Sequence, residues 1–305
     1  MGTGSPSGNA TRQKGGVVQP VRETLNDSSL NPLRVACLQM RSGLDSARNL
    51  GAIAEAAERA ASQGATYLLT PEVSIVFAAN RSQLAAQMPE GATGAMIDRL
   101  SEIASQNGIH LHVGSMATPL ADGRFANRSL LFSPDGALIA QYDKIHLYDA
   151  DPPGDRPYRE SETYRPGNKA VLASIGPARI GLTICYDLRF PALYAALANA
   201  GAGIMAVPAA FTVPTGKAHW ESLLRARAIE TGSFIVAAAQ GGEHENGRRT
   251  WGRSMIVDPW GTILAQAGAD EPELIRAELD LSRVADARAR VPALANARPF
   301  SLSVN

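Results

Sequence analysis

The 305-residue sequence has only two cysteines, Cys37 and Cys185. Two cysteines are too few for a disulfide framework, so the reducing cytoplasm is the expected compartment. It has no surplus of either charge, because 29 basic residues balance 29 acidic ones, and this argues against a nucleic-acid or membrane-surface partner. No apolar run approaches the roughly 18 residues that a membrane-spanning helix needs, and the first residues lack the apolar core of a signal peptide.

Lysine is scarce as well, since only four of the 29 basic residues are lysines: Lys14, Lys144, Lys169 and Lys217. Arginine supplies nearly all of the positive charge. A lysine in this chain is therefore a candidate for chemistry that needs a compact ammonium group with a tunable pKa. The two cysteines and the scattered histidines have no zinc-ligand spacing, so no metal site is expected.

Residues 1–31 are rich in Gly, Ser, Thr, Asn and Pro, which predicts a flexible N-terminal extension before a single domain at 32–305. Apolar periodicity in that domain predicts helices at 44–61, 95–106, 191–200 and 217–231. It predicts strands at 33–39, 67–69, 109–115, 129–132, 137–142, 179–185, 203–207, 234–239, 254–257 and 262–265. Strands mixed with crossover helices and hairpins indicate an α/β layered fold with a mixed sheet.

Four side chains stand where such a fold carries chemistry. Cys185 lies between the end of an apolar strand and the start of a helix, the kind of turn that exposes a nucleophile, although most free cysteines are small buried hydrophobic residues. Glu72 and Lys144 each follow a predicted strand, and Glu160 lies in a long polar loop over 149–168. An ordinary solvated side chain is the alternative for each of these three.

Histidines raise a second possibility, a Cys–His pair of the papain type. His146 lies two residues beyond Lys144, and His219 and His244 are further possible partners. The sequence signatures expected beside such a protease cysteine are absent. This pairing is therefore the weaker alternative.

Glu72, Lys144 and Cys185 lie in distinctive segments: TPE at 70–72, YDKIHLYD at 142–149 and GLTICYDLRFP at 181–191, followed by WGRSMIVDPWG at 251–261. In this order they resemble the nitrilase, or carbon–nitrogen hydrolase, superfamily, which uses a Glu–Lys–Cys triad. The resemblance covers the chain from about Leu33 to its C-terminus. It implies an α-β-β-α sandwich. Such sandwiches commonly form a homodimer or a higher homo-oligomer through their helices, and the apolar stripe on the 220–231 helix is the candidate interface.

The resemblance also implies roles for the site residues. Cys185 would attack an amide carbonyl after Glu72 takes its proton, forming a thioester and releasing ammonia. Lys144 and the backbone N–H of Tyr186 would stabilise the oxyanion. Glu160 matches a second glutamate of the family that would hold the ammonium group in place. No metal or cofactor is implied.

Within the superfamily, WESLLRARAIET at 220–231 and VAAAQ at 236–240 resemble the deaminated-glutathione amidases of the Nit group. That branch implies a small carboxylate-bearing amide as substrate. An omega-amidase or a nitrilase is the alternative enzyme, and a non-catalytic binding protein is the alternative from another class. The predicted pocket residues are Tyr186, Phe211, Thr212, Thr215 and Arg253. Arg253 stands where most Nit sequences have His, and we predict that it binds the substrate carboxylate.

Overall fold

The computed structural model describes Met1 and residues 32–304. The strands are β1 (Leu33–Gln39), β2 (Tyr67–Leu69), β3 (His110–Pro119), β4 (Phe125–Phe132), β5 (Leu138–Asp143), β6 (Asp149–Ala150), β7 (Tyr158–Arg159), β8 (Val171–Ile175), β9 (Ala178–Leu182), β10 (Ile204–Ala206), β11 (Phe234–Ala237), β12 (Gly241–Glu243), β13 (Arg249–Trp251), β14 (Met255–Val257), β15 (Ile263–Gln266) and β16 (Glu273–Leu279). The extension predicted at 1–31 lies outside the described residues, apart from Met1.

The helices are α1 (Ser46–Ser62), α2 (Arg81–Ala86), α3 (Ala92–Asn107), α4 (Pro191–Asn199), α5 (Val213–Thr231), α6 (Ser282–Arg290) and α7 (Ala293–Asn296). Single 3₁₀ turns cover Glu160–Glu162 and Cys185–Arg189. Local signals explain the bounds of α1, because the Asp45 side chain caps its first amides and Gly64, with a φ of 82°, follows its end. Among the described residues, no helix has the length and apolar character needed to cross a membrane.

Two six-stranded sheets form the centre of the fold. Their strand orders are β16-β1-β2-β3-β4-β5 and β15-β14-β11-β10-β9-β8. Each sheet is mixed, since β1, β2 and β3 pair in parallel in the first, and β9, β10 and β11 do so in the second, while the outer strands pair antiparallel. The predicted α/β fold with mixed sheets is confirmed.

The alternation of side chains along β1 shows how the layers stack. Val35 and Cys37 join the core between the two sheets, whereas Ala36 and Leu38 pack on the opposite face with α1 and α3. The second sheet carries α4 and α5 on its outer face. Because successive strand residues point to opposite faces, this pattern requires a helix layer outside each sheet, which completes the α-β-β-α sandwich.

The structure differs from the sequence-based predictions at several elements, and three of them show the physical reasons. The strand predicted to run to Cys185 ends at Leu182, because the Asp187 carboxylate accepts the Ile184 N–H at 2.8 Å and turns the chain into a 3₁₀ helix. Helix α2 was not predicted, since its six residues are too few to show a periodicity. Strand β16 was also missed, and it pairs with β1 from more than 230 residues away.

The apolar stripe of α5 is not a free interface. Trp220, Leu224 and Ala228 are at most 1% exposed and belong to the core of their own chain, so the predicted interface on this stripe is wrong. The stripe faces the second sheet because that sheet needs a helix to cover its outer face. Homodimer formation itself stays a prediction, and any contact through α5 would use its solvent side, where Ile229 is 55% exposed.

Candidate active site

Strand ends from both sheets meet at one place. Glu72 follows β2 and Lys144 follows β5 in the first sheet, and Cys185 lies beyond the end of β9 in the second. Glu160 follows β7, which pairs with β6 in a separate two-stranded sheet. Gly114 permits the close approach of the sheets here, since a Cβ on it would lie 2.1 Å from the Thr70 carbonyl oxygen and 2.3 Å from Pro208 Cβ. The four side chains that the sequence singled out are thereby brought together.

The Lys144 ammonium group is the centre of the cluster and is almost fully buried. Its Nζ lies 2.8 Å from Glu72 Oε1 and 2.8 and 3.0 Å from the two oxygens of Glu160. The Lys144 side chain is 2% exposed, that of Glu72 7% and that of Glu160 13%. A buried ion pair persists only with good geometry and further hydrogen bonds, and this cluster supplies both.

Asn127 is a member of the cluster that the sequence analysis missed. Its Nδ2 donates to Glu72 Oε1 at 2.9 Å and to Glu160 Oε1 at 3.0 Å, while its backbone carbonyl accepts the Lys144 N–H. Two carboxylate acceptors require the amide nitrogen on this side, which assigns the orientation of the side chain. No clear sequence signal marked it, since Asn127 is followed by two further polar residues in β4 and the predicted strand began only at 129.

The cluster sets the protonation states around the thiol. Burial raises the pKa of Glu72, but the charge of Lys144 and hydrogen bonds from Lys144, Cys185 and Asn127 outweigh it and lower that pKa from its usual value. Burial and the Glu72 carboxylate raise the pKa of Cys185 well above its usual value. Burial opposes the charge of Lys144, yet Glu160 and Glu72 keep its pKa well above normal. At neutral pH the site therefore holds a carboxylate base, an ammonium cation and a thiol.

The backbone is strained at the candidate nucleophile and beside the candidate base. Cys185 has a φ of 50° and Val73, next to Glu72, a φ of 51°, in the left-handed region that such side chains rarely occupy. Strain of this kind concentrates at functional sites. The first hydrogen bond of the turn runs from Asp187 N–H to the Ile184 carbonyl, which leaves the Tyr186 N–H outside the turn's own hydrogen bonds.

His146 is used structurally. Its ring stacks on Phe190 at 3.6 Å, and its Nδ1 lies 2.7 Å from the carboxylate of Asp187, which also accepts the hydroxyl of Tyr142. His244 lies 2.7 Å from the Thr250 hydroxyl, and His219 contacts Arg189. None of these rings is within hydrogen-bond distance of Cys185, so the structure does not support the Cys–His alternative.

Glu72, Lys144, Glu160 and Cys185 line one cavity of about 600 Å³. Beyond these residues its wall contains one further carboxylate, Glu162, and four arginines: Arg81, Arg156, Arg159 and Arg248. The cavity therefore has a surplus of positive charge and is large enough for a substrate of tripeptide size. Among the described residues, no group of three or more His, Cys, Asp or Glu side chains is arranged to hold a metal ion.

The predicted pocket residues occupy other positions. Tyr186, Phe211, Thr212 and Thr215 line a smaller space of about 20 Å³, which shares Tyr148, Cys185 and Ala210 with the wall of the large cavity. Arg253 lines neither space, and its selection as a binding residue is not supported. The backbone of Arg253 has a φ of 59°, and its carbonyl accepts a hydrogen bond from Trp220 Nε1. Its Cζ lies 5.3 Å from the centre of the Trp251 ring.

Comparison with known proteins finds relatives over most of the chain. The model of the carbon–nitrogen hydrolase family matches residues 34–289. A deaminated glutathione amidase of Yersinia enterocolitica is 40% identical over 87% of this chain and 92% of its own length. The human protein of that name is 37% identical over 92% of this chain and 87% of its own.

Solved structures agree as well. The Caenorhabditis elegans NitFhit protein superposes with a TM-score of 0.82 at 34% identity, over 88% of this chain and 65% of that longer fusion protein. An amidase from Nesterenkonia sp. AN1, modified by acrylamide at its active-site cysteine, has a TM-score of 0.72 at 32% identity, over 85% of this chain and 98% of its own. The chain thus belongs to the carbon–nitrogen hydrolase family and is a hydrolase of carbon–nitrogen bonds other than peptide bonds.

Proposed function

We propose that the protein is an amidase that acts through a covalent thioester on Cys185. The observation that carries this proposal is the contact of one thiol with a buried carboxylate–ammonium cluster at the wall of a substrate-sized cavity. A thiol whose pKa is raised needs a base to become a nucleophile, and Glu72, to which it donates a hydrogen bond, is a carboxylate at neutral pH.

The proposed reaction has two halves. Glu72 takes the thiol proton as Cys185 sulfur bonds to the amide carbon, and the resulting oxyanion is stabilised by Lys144 and the Tyr186 N–H. The C–N bond breaks as Glu72 returns the proton to the leaving nitrogen, which leaves a thioester. Water, losing a proton to Glu72, then attacks the thioester, and the thiol departs with that proton while the acid product is released.

Glu160 and Asn127 serve this reaction by position. Glu160 accepts two hydrogen bonds from Lys144 Nζ. It also accepts the Tyr148 N–H at 2.6 Å, so the backbone holds its carboxylate in place. Asn127 bridges the two carboxylates by donating to both. Together they fix the ammonium group where an oxyanion develops, and preorganised charge of this kind is worth several kcal/mol in the transition state.

We propose a small carboxylate-bearing amide as the substrate, with deaminated glutathione as the first compound to test. The positive surplus of the cavity and the relatives named deaminated glutathione amidase support this choice. A primary carboxamide releases ammonia, whereas the acyl group of deaminated glutathione is joined to the cysteine nitrogen and its hydrolysis frees a dipeptide amine. An assay must therefore measure both products.

The test is a comparison of kcat/KM for deaminated glutathione, alpha-ketoglutaramate, a neutral aliphatic amide and the nitrile of that amide. We expect deaminated glutathione to exceed the neutral amide by about tenfold or more, because a charge-assisted hydrogen bond contributes that much. A higher value for alpha-ketoglutaramate would identify an omega-amidase. Preference for the neutral amide or the nitrile would refute the proposed substrate class, and absence of all hydrolysis would refute the amidase.

The pH profile distinguishes the proposed base from a histidine. Because the pKa of Glu72 is lowered from its usual value, this base stays ionised through the neutral and weakly acidic range, and we expect kcat/KM to decline only at the acidic end of the profile. Circular dichroism at each pH separates this loss from acid unfolding, since a carboxylate with a lowered pKa stabilises the fold less as the pH falls through that pKa. A decline near pH 6.5 that disappears in His146→Asn would instead identify a histidine base.

A further inference from the structure

Arg248 differs from the other arginines of the cavity in what surrounds its guanidinium. Arg159 pairs with Asp151 at 2.9 Å, and Arg81 donates to the Gly123 carbonyl. Arg156 is exposed and lies 5.5 Å from the centre of the Tyr158 ring. The half-buried Arg248 guanidinium has no hydrogen bond or ion pair within residues 32–304.

Two aromatic rings flank the Arg248 guanidinium instead. Its Cζ lies 4.8 Å from the centre of the Phe77 ring and 4.9 Å from that of Tyr158. Cation–π contacts hold a guanidinium without using its N–H donors, which stay available for two hydrogen bonds to a carboxylate.

The backbone around the clamp of Arg248, Phe77 and Tyr158 is fixed. Arg248 accepts the His244 N–H on its carbonyl at 2.8 Å and donates its own N–H to Asn246 Oδ1 at 2.9 Å. The Asn246 side chain also donates to the Phe77 carbonyl at 2.8 Å. A guanidinium held in place with unused donors is preorganised for a ligand, because less side-chain freedom is lost on binding.

The clamp is connected to the candidate catalytic residues. Phe77 lies in the segment that follows Glu72, and Tyr158 is two residues before Glu160. All three clamp residues line the same cavity as Cys185. We propose that Arg248 binds a carboxylate of the substrate and so selects anionic amides over neutral ones. This inference rests on the proposed amidase function and replaces the sequence-based choice of Arg253.

The test compares two amides of equal length, glutaramate, which has a carboxylate at its far end, and pentanamide, which has none. In Arg248→Gln we expect the kcat/KM ratio of glutaramate to pentanamide to fall about ten- to a hundredfold, chiefly through the KM of glutaramate. Arg248→Lys, which keeps the charge but loses the planar fork, should give an intermediate ratio. Arg249→Gln is the matched control, since Arg249 is exposed and pairs with Asp270, and should retain the wild-type ratio.

A structural role would give a different result. If Arg248 only joined the two rings, Arg248→Gln would lower the melting temperature and reduce the activities on glutaramate and pentanamide together. A kcat/KM ratio of glutaramate to pentanamide within threefold of wild type would overturn the proposal. Calorimetric titration with glutarate separates this failure from failure of the amidase assignment, because it needs no turnover. Wild type should bind glutarate at least tenfold more tightly than Arg248→Gln does, and equal affinities would also overturn the proposal.

Discussion

Replacement of Cys185 by alanine is expected to lower kcat by about 10⁴-fold or more, since no other group can form the thioester. The backbone of Cys185 has a left-handed φ, and alanine adopts this conformation at no greater cost than cysteine does. The fold should therefore persist. Steady-state kinetics with the best amide substrate measures the loss. Mass spectrometry of rapidly quenched reactions should show an acyl adduct on the wild-type protein and none on Cys185→Ala.

Cys37 provides the matched control for this experiment. It is fully buried in β1 between the sheets, and burial raises its pKa far above that of an ordinary thiol. Cys37→Ala should lose stability of a few kcal/mol at most and keep most of its turnover. Substantial turnover by Cys185→Ala, or an acyl adduct on Cys37, would refute the proposed mechanism.

Lys144→Arg should be nearly as inactive as Lys144→Met, with kcat reduced about 100- to 1000-fold. The guanidinium keeps the charge but is planar and larger, and the site around Lys144 Nζ is closed by three carboxylate oxygens within 3.0 Å. Arginine would displace these groups and could not present a single compact donor to the oxyanion. Single-turnover kinetics of thioester formation measures the effect directly.

Lys217→Arg is the control for this substitution, because Lys217 is exposed on α5 and should accept arginine without loss of activity. Thermal unfolding of each variant is needed as well, since Lys144→Met leaves two buried carboxylates without a cation, which costs about 3–5 kcal/mol. If folded Lys144→Arg kept more than about a tenth of the wild-type rate, Lys144 would supply structural charge rather than stabilise the oxyanion.

Much of the fold was predictable because its signals are local. The alternation of β1 and the periodicity of α1 follow from burial of one face, and Asp45 and Gly64 mark the ends of that helix. Strand β16 lacked such a signal, because it becomes a strand by pairing with the edge of β1. The end of β9 was also unpredictable, since a side chain of the following turn, Asp187, terminates it.

The residues that could perform the chemistry were recognisable from the chain alone: one cysteine at a strand-to-helix turn, one lysine among few, and two glutamates in segments that resemble a family's motifs. Only the tertiary structure brought Asn127 to both carboxylates, put Arg248 rather than Arg253 on the cavity wall, and used the α5 stripe for the chain's own core. The physical reason is that periodicity and turn residues report local burial, whereas contacts between strand ends depend on sheet order and on loops folding over the sheet edge.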